Sequence, residues 1–574
     1  MRKFRAGLPA EAYTRRRAWF SGRTRPCQGR DGSSILPART VEKVYQIALV
    51  VKWISRQASN LLLGVRIPPG ALIVSEGSWQ FTHQTPTSMK VIPKEVRAVV
   101  ALLQHKGFEA YLVGGCVRDI ILDRTPKDWD VTTNATPEEI QATFPHTFYE
   151  NEFGTVGVVN DDATEETLKI IEVTPYRKEG TYTDKRHPDT VSFGTDLTED
   201  LKRRDFTVNA IAYDPVSEKI VDPYKGHKDI EDKLIRAVGS AEERFTEDAL
   251  RMLRAVRIAT DLEFDLEKTT ALAVQKMAKN VTDISQERIR DELTKILMTK
   301  HPRRGFIMLH ELDLLVHILP ELEAGVGIEQ NQAHSFRVFE HILGTVEASA
   351  TKNLSLPVRI AALFHDIAKP HTRAFDEKKQ DWSFHGHEVE GSKIAKKRLQ
   401  ELRYPKEVIE KAVKLVRWHM FFSDTELITH SAVRRLIRNV GTENVEDLLM
   451  LRVCDRIGTG RPKEQPYRLR KYQAMIEEVM RDPISVGMLK VNGKTLMDMG
   501  EKAGPRIGWT LHALLEEVLE DPTRNTEEWL TQKAKELFAL PDTTLKTLGE
   551  AGRTAQEEAE EGEVKKVRSR YHVE

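Results

Sequence analysis

Two adjacent glycines, Gly114 and Gly115, lie between an apolar run and a helical one in LVGGCVRD (112–119), and Asp128 and Asp130 come next, Asp128 standing ten residues beyond Arg118. This order restricts the segment to a strand–turn–helix–strand unit whose turn adopts a backbone that glycine tolerates best. A helix starting at such a turn presents N–H groups to which a phosphate can come close. On a strand, residues i and i+2 face the same side, so the carboxylates of Asp128 and Asp130 are expected to project together. Two neighbouring anions repel unless a cation lies between them, and paired divalent metals aligning a nucleotide's phosphates are natural occupants. A lone Gly-Gly turn is commonplace, and so is a solvated Asp-x-Asp. In this order they point to a phosphate and metal site built from Gly114, Gly115, Arg118, Asp128 and Asp130.

The rest of the chain constrains where that unit sits. At 574 residues there is material for about four domains at roughly 150 residues each. Lys+Arg and Asp+Glu number 87 each, so any nucleic-acid surface has to be a local patch. The longest apolar run, Ile47 to Ile54, is short and interrupted by Lys52, which argues against a membrane span. Three cysteines in so long a chain exclude a disulfide scaffold and fit a reducing, cytoplasmic setting.

Residues 1–88 have a different texture. Residues 1–30 carry nine Lys/Arg against the single acid Glu11, a bias also found in transit peptides. GVRIPPGA (64–71) is what the T-arm and acceptor stem of a tRNA gene spell when translated, so we expect an unstructured extension and a start at Met89. From Met89 the pattern is regular: a helix over 94–106, strands at 111–113, 155–160 and 168–174, helices near 117–123 and 137–143, and an end to the unit near 213–222. Beyond residue 228 the strand signal vanishes and helices run to about 540, broken or capped at Pro302, Pro320, Pro357 and Pro405. The expected class is α+β, a small mixed sheet with helices followed by an all-helical remainder. The expected divisions are 1–88, a head over 89–222, a neck over 223–300, residues 301–480, a helical region over 481–548 and a polar tail over 549–574.

LVGGCVRD with DWD (128–130) resembles the head of the class II nucleotidyltransferases, the CCA-adding tRNA nucleotidyltransferases and bacterial poly(A) polymerases, whose catalytic core is polymerase-β-like. RRDFTVNAIA (203–212), VDPYKGHKDI (221–230), RFTEDALRMLRAVRIA (244–259) and ERIRDELTKIL (287–297) resemble the later motifs of that family, in order and spacing. The resemblance implies that Asp128 and Asp130 hold Mg²⁺ and that Gly114, Gly115, Arg118 and Arg204 take the triphosphate. It implies that Asp248 and Arg251, three apart on one helix face, read the incoming base in place of a template. Arg254 and Arg257 continue that stripe and would neutralise phosphate. Glu172, in IIEVTPYR (170–177), is the candidate third carboxylate, and the loop around Gly180 is expected to move in the switch from CTP to ATP.

Downstream, His341, His365-Asp366, HGHE (385–388), His419 and Asp455 occur in the order of an HD domain, an all-helical phosphohydrolase fold. The resemblance implies a divalent metal held by His341, His365, Asp366 and Asp455, with His387 serving a second metal or a phosphate. The pattern leaves open whether that site hydrolyses anything. The segment 491–522, with GPRIG (504–508), resembles the C-terminal segment of related enzymes that carry an HD domain. It is expected to meet RNA phosphate, as is RPKEQPYRLRKYQ (461–473).

The family resemblance implies template-independent addition of the 3′-terminal CCA to tRNA from CTP and ATP with release of pyrophosphate. Alternatives are poly(A) synthesis or addition restricted to C or A. A more remote one is a signalling nucleotidyltransferase–HD enzyme such as a protein uridylyltransferase, which shares the domain order but would lack RRDFTVNA and the EDALR segment. The expected partners are a tRNA 3′ end, CTP and ATP, and no membrane.

Overall fold

A computed structural model describes residues 92–149, 154–179, 191–194, 196–331, 335–421, 428–460 and 467–550. The expectations for residues 1–88, Gly180 and most of the polar tail fall outside the described residues.

The head opens with α1 (Lys94–His105), whose Val96, Val99, Val100 and Leu103 recur at helical spacing and are all buried. That stripe packs on the central sheet; burying each such side chain contributes about 1.5–3 kcal/mol. Seven strands form the sheet: β1 (Ala110–Val113), β2 (Asp130–Thr133), β3 (Thr147–Tyr149), β4 (Val156–Val159), β5 (Ile170–Pro175), β6 (Ala212–Asp214) and β7 (Lys219–Val221). Their order is β3-β4-β5-β2-β1-β6-β7. It is mixed: β2 runs parallel to β5 and antiparallel to β1, and β1 runs antiparallel to β6. Helix α2 (Gly115–Ile121) comes directly after β1, and α3 (Pro137–Thr143) comes after β2 behind a capping box formed by Thr136 and Glu139.

After the head the chain is mostly helical, as expected, with two exceptions. Leu234–Ile235 pairs in parallel with Asp265–Leu266, and Ala374–Asp376 forms a hairpin with Asp381–Ser383. Both ladders are two or three residues long, too short to show an alternating pattern, which is why the sequence carries no strand signal beyond 228.

The neck contains α4 (Ala241–Glu247), α5 (Leu250–Leu262) and α6 (Gln286–Leu297). Leu250, Leu253 and Val256 of α5 are buried, as are Ile289, Leu293 and Ile296 of α6. The next helical layer is α7 (Val338–Thr351), α8 (Leu356–Phe364), α9 (His387–Glu401), α10 (Lys406–Trp418), α11 (His430–Val440) and α12 (Val445–Gly458). Pro302 and Pro320 start helices, Pro357 lies in the first turn of α8 and Pro405 caps α10, so all four prolines act as the pattern predicts. A Cβ on Gly344 would lie 3.2 Å from the Gly458 Cα, so paired glycines let α7 and α12 pack closely. Among the described residues, no helix is long and apolar enough to cross a membrane.

Candidate functional site

The head site grows out of the β1–α2 turn. Gly114 has φ +83° and ψ −139°, a region that an L side chain rarely adopts, so glycine is required by backbone geometry as well as by space. A Cβ there would lie 3.1 Å from Asp130 Oδ2 and 3.3 Å from Arg204 Nη1. The glycine cradle, one carboxylate and one guanidinium therefore share a small volume. Gly115 begins α2, and an added Cβ there would meet Arg118 Nη2 at 3.6 Å.

Asp128 lies just before β2, not on it; the strand starts at Asp130. Trp129 between them is buried in the core while Asp128 is exposed and Asp130 half-buried, so the two acids still fall on the opposite side from Trp129. Burial first and then the charges of Asp130 and Asp128 push the Cys116 thiol up to about 12, leaving it neutral. Glu172 is the register partner of Asp130 across the parallel β2–β5 pair, and its strand neighbours Ile171 and Val173 are buried on the opposite face. Glu172 thus shares the sheet face of Asp130. Asp128, Asp130 and Glu172 do not draw their oxygens together as tightly as the histidine and aspartate groups farther along the chain do.

Arg204 Nη2 donates to Asp200 Oδ2 at 3.3 Å, and Arg203 donates to Asp200 Oδ1 at 2.7 Å. Burial alone would raise the Asp200 carboxyl; Arg204 and Arg203 hold it below its usual range. Arg118 Nη1 donates to Asn209 Oδ1 at 2.8 Å, Asn209 Nδ2 donates to Asp205 Oδ1 at 3.1 Å, and Arg254 Nε donates to Asp205 Oδ2 at 2.8 Å. This relay joins the turn to the neck. Asp200, Asp205 and Asn209 are not singled out by the sequence, although Asp205 and Asn209 lie within RRDFTVNA; a motif says nothing about which of its polar residues face one another.

The local geometry of Asp248 and Arg251 departs from expectation. Helix α4 ends at Glu247 and α5 starts at Leu250, so Asp248 sits between the helices with extended backbone (φ −146°, ψ 105°). Its side chain accepts from Leu250 N at 3.0 Å, the local bond that breaks the helix. Its two oxygens also accept from Arg288 of α6 at 3.2 and 2.7 Å, so Arg288 enters the site unforeseen. Arg251 donates to Glu247 Oε2 at 2.6 Å and to the Arg203 carbonyl at 3.2 Å.

Arg254 and Arg257 depart further. Arg254 pairs with buried Asp205, and Arg257 Nε donates to Glu292 Oε2 at 2.6 Å, a carboxylate only 3% exposed. Each guanidinium already has its anion, so both tie α5 to its neighbours.

The second cluster is buried between α7, α8, α9, α10 and α12. Asp366 Oδ2 lies 3.0 Å from His341 Nε2 and 3.2 Å from His365 Nε2. Its other oxygen lies 3.2 Å from His387 Nε2 and 3.7 Å from His419 Nε2. Asp455 Oδ1 reaches His341 Nε2 at 3.2 Å. Two three-residue groups result, His341–His365–Asp366 and Asp366–His387–His419, each with ligand atoms within 4.8 Å and with Asp366 in common.

His365, His387 and His419 each place Nδ1 2.6–2.8 Å from the carbonyl three residues earlier, at Ala362, Phe384 and Val416. Those bonds assign the proton to Nδ1 and turn the Nε2 lone pairs inward. His387 and His419 then face each other at 3.3 Å, lone pair to lone pair, which a cation between them relieves. The donor set fits a divalent metal. Burial would lower His341, yet its bonds to Asp366 and Asp455 raise it to about 9. His419 belongs to this cluster although the sequence pattern assigns it no ligand role; its position at the end of α10, far from the HD pair in sequence, conceals the contact.

The later segments are less simple. Arg506 in GPRIG donates to the carbonyls of Phe538 and Leu540 and pairs with Glu501 and Asp542, so this arginine joins helices of the chain itself. Residues 461–466 of RPKEQPYRLRKYQ lie outside the described residues.

Fold and site together define a nucleotidyltransferase head joined to an HD domain. Residues 110–236 match the Poly A polymerase head domain, 263–325 the probable RNA and SrmB-binding site of polymerase A, and 338–460 the HD domain. A CCA-adding enzyme of Geobacillus thermodenitrificans is 32% identical over 457 residues, covering 78% of this chain and 98% of that one. The chain belongs to the CCA-adding enzyme family. A Staphylococcus aureus CCA-adding enzyme is 43% identical over 224 residues, and that match spans 39% of this chain and 54% of the length of the relative. The solved structure of Bacillus stearothermophilus CCA-adding enzyme in complex with CTP superposes with a TM-score of 0.59 at 28% identity, covering 77% of this chain and 96% of that one.

Proposed function

We propose that the protein adds the 3′-terminal CCA of tRNA from CTP and ATP without a template, releasing pyrophosphate, in the cytoplasm. The observation that carries this reading is the convergence of the Gly114 turn, the Asp130 carboxylate and the Arg204 guanidinium. In this reading the backbone of Gly114 and Gly115, with Arg118 and Arg204, receives the triphosphate and aligns its α-phosphate with the primer's 3′-hydroxyl. Asp128 and Asp130 would hold Mg²⁺, with Glu172 beside them, and the metal when bound supplies charge neutralisation and a more acidic 3′-hydroxyl. Asp248 and Arg251 present acceptor and donor groups to the base, so a base lacking the exocyclic amine shared by C and A leaves them unpaired. Arg288 and Glu247 hold those two side chains in place. The domain division 89–222, 223–300, 301–480 and 481–548 belongs to the same reading, with the HD cluster a second divalent-metal site.

The test is direct. Purified protein is given a tRNA lacking CCA and each nucleoside triphosphate singly and together. Growth by three nucleotides that then stops supports the proposal. An unbounded A tail identifies a poly(A) polymerase, and growth by C alone or A alone a restricted enzyme; each replaces the reading.

A further inference from the structure

Helix α6 divides its polar residues between two sides. Arg288 and Glu292, one turn apart, engage the base-reading segment and α5: Arg288 donates to Asp248, and Glu292 accepts from Arg257. Arg290 and Thr294 each stand two residues further along. On a helix of about 3.6 residues per turn that places them on the opposite side. Ile289, Leu293 and Ile296 fill the buried face between the two.

That opposite side is gripped by the HD domain. Arg290 Nη1 donates to the Arg403 carbonyl at 2.6 Å, and the Thr294 hydroxyl shares a hydrogen bond with the Tyr404 hydroxyl at 2.8 Å. Residues 403 and 404 lie in the turn between α9 and α10. The C-terminal end of α6 is gripped as well. Arg359 of α8, only 3% exposed, donates to the Leu297 and Thr299 carbonyls at 3.0 Å each and to the Leu354 carbonyl at 2.9 Å. Carbonyls at a helix C-terminus carry the negative end of its dipole, which suits a buried guanidinium. Apolar burial keeps α6 in contact but has no direction, whereas these hydrogen bonds fix its rotation and its position along its own axis.

We propose that the HD domain governs base choice from a distance, Arg359 and Tyr404 acting as positioning residues that hold α6 where Arg288 keeps Asp248 turned to the incoming base. This rests on the reading in which Asp248 and Arg251 select the base. Loss of either grip lets α6 turn or slide, moves Arg288 and frees Asp248, while the glycine turn and the carboxylates of the head stay in place.

The experiment uses the full chain and a tRNA lacking CCA, with CTP or UTP as the sole triphosphate, and reads the ratio of kcat/KM for UTP to that for CTP. Tyr404→Phe removes a hydroxyl alone, and Arg359→Lys keeps the charge but loses the fork that spans two carbonyls. Each should raise the ratio about 2- to 5-fold, chiefly through a higher KM for CTP. Thr294→Val should do the same, and Thr294→Ser, which keeps the hydroxyl, should stay within about 1.5-fold of wild type. Tyr404→Phe combined with Arg288→Gln should raise the ratio no further than Arg288→Gln alone, because both changes act through Asp248. If Arg359→Lys does not fold, the Tyr404 and Thr294 variants decide by themselves. An unchanged ratio in Tyr404→Phe or in folded Arg359→Lys, an equal loss with both triphosphates, or an additive rise in the double variant overturns the proposal. A wild-type protein that uses CTP and UTP equally refutes the base-selecting reading itself, and the proposal with it.

Discussion

At the scale of single residues, the head site depends on which charges are already matched. Asp130 lies against the glycine turn, so Asp130→Ala is expected to lower nucleotide addition by at least about a thousandfold while tRNA retention on filters stays near wild type. Asp248 is held by Arg288, and Arg288→Gln should let it swing and relax base choice. The expected readout is a rise of about tenfold in UTP incorporation relative to CTP. Asp205 contributes differently. Burial works against its charge, but Arg254 and Asn209 hold its carboxyl well below the carboxylate range. A depressed folded value stabilises the protein above the unfolded value of about 3.9, and that stability is lost only as pH falls through the folded value. Asp205→Asn should therefore cost about 1–3 kcal/mol at pH 7, discounted because the Arg254 side chain is 35% exposed. In urea melts the gap from wild type should persist at pH 5 and shrink only below about 4; a gap already closed at pH 5 would refute the assignment.

At the scale of elements, close helix contact shapes the HD cluster. Asp455 lies three residues before Gly458 on α12, and a Cβ on Gly458 would come 2.8 Å from Thr345 N and 2.9 Å from the His341 carbonyl of α7. Backbone atoms cannot step aside as a side-chain tip can. Gly458→Ala should force the helices apart, costing about 1–3 kcal/mol. Because His341 and Asp455 sit on the two separated helices, the same variant should also lose divalent-metal affinity in equilibrium dialysis. Unchanged melting and unchanged metal uptake would show that the contact is slack.

At the scale of the whole chain, the head and the neck are separate in sequence but linked by polar bridges. Arg118–Asn209–Asp205–Arg254 runs from the Gly114 turn into α5, and Arg257–Glu292 continues from α5 to α6. The neck is thereby anchored to the glycine turn of the head. Residues 1–88 carry the tRNA-gene-like string and none of the motifs. A chain beginning at Met89 should accordingly match the full chain in rate of CCA addition and in melting temperature; a loss in either shows that the leader contributes.

Much of this architecture is written in local pattern. Period-2 and period-3.6 burial, prolines at helix starts and the Gly-Gly turn are consequences of backbone geometry within a few residues, so they can be read one segment at a time. Spacing points to Gly114 and Asp130 as candidates, and the family resemblance adds Arg204 and the HD histidines, because motif order limits which chemistry the residues can share. What a charge meets across the fold has no such period. Only packing decided that Arg254 and Arg257 spend their charge on Asp205 and Glu292, that Asp248 leaves the helix for Arg288, and that His419 joins His387. Those pairings depend on residues 32 to 49 positions apart being carried together by hydrophobic faces indifferent to charge.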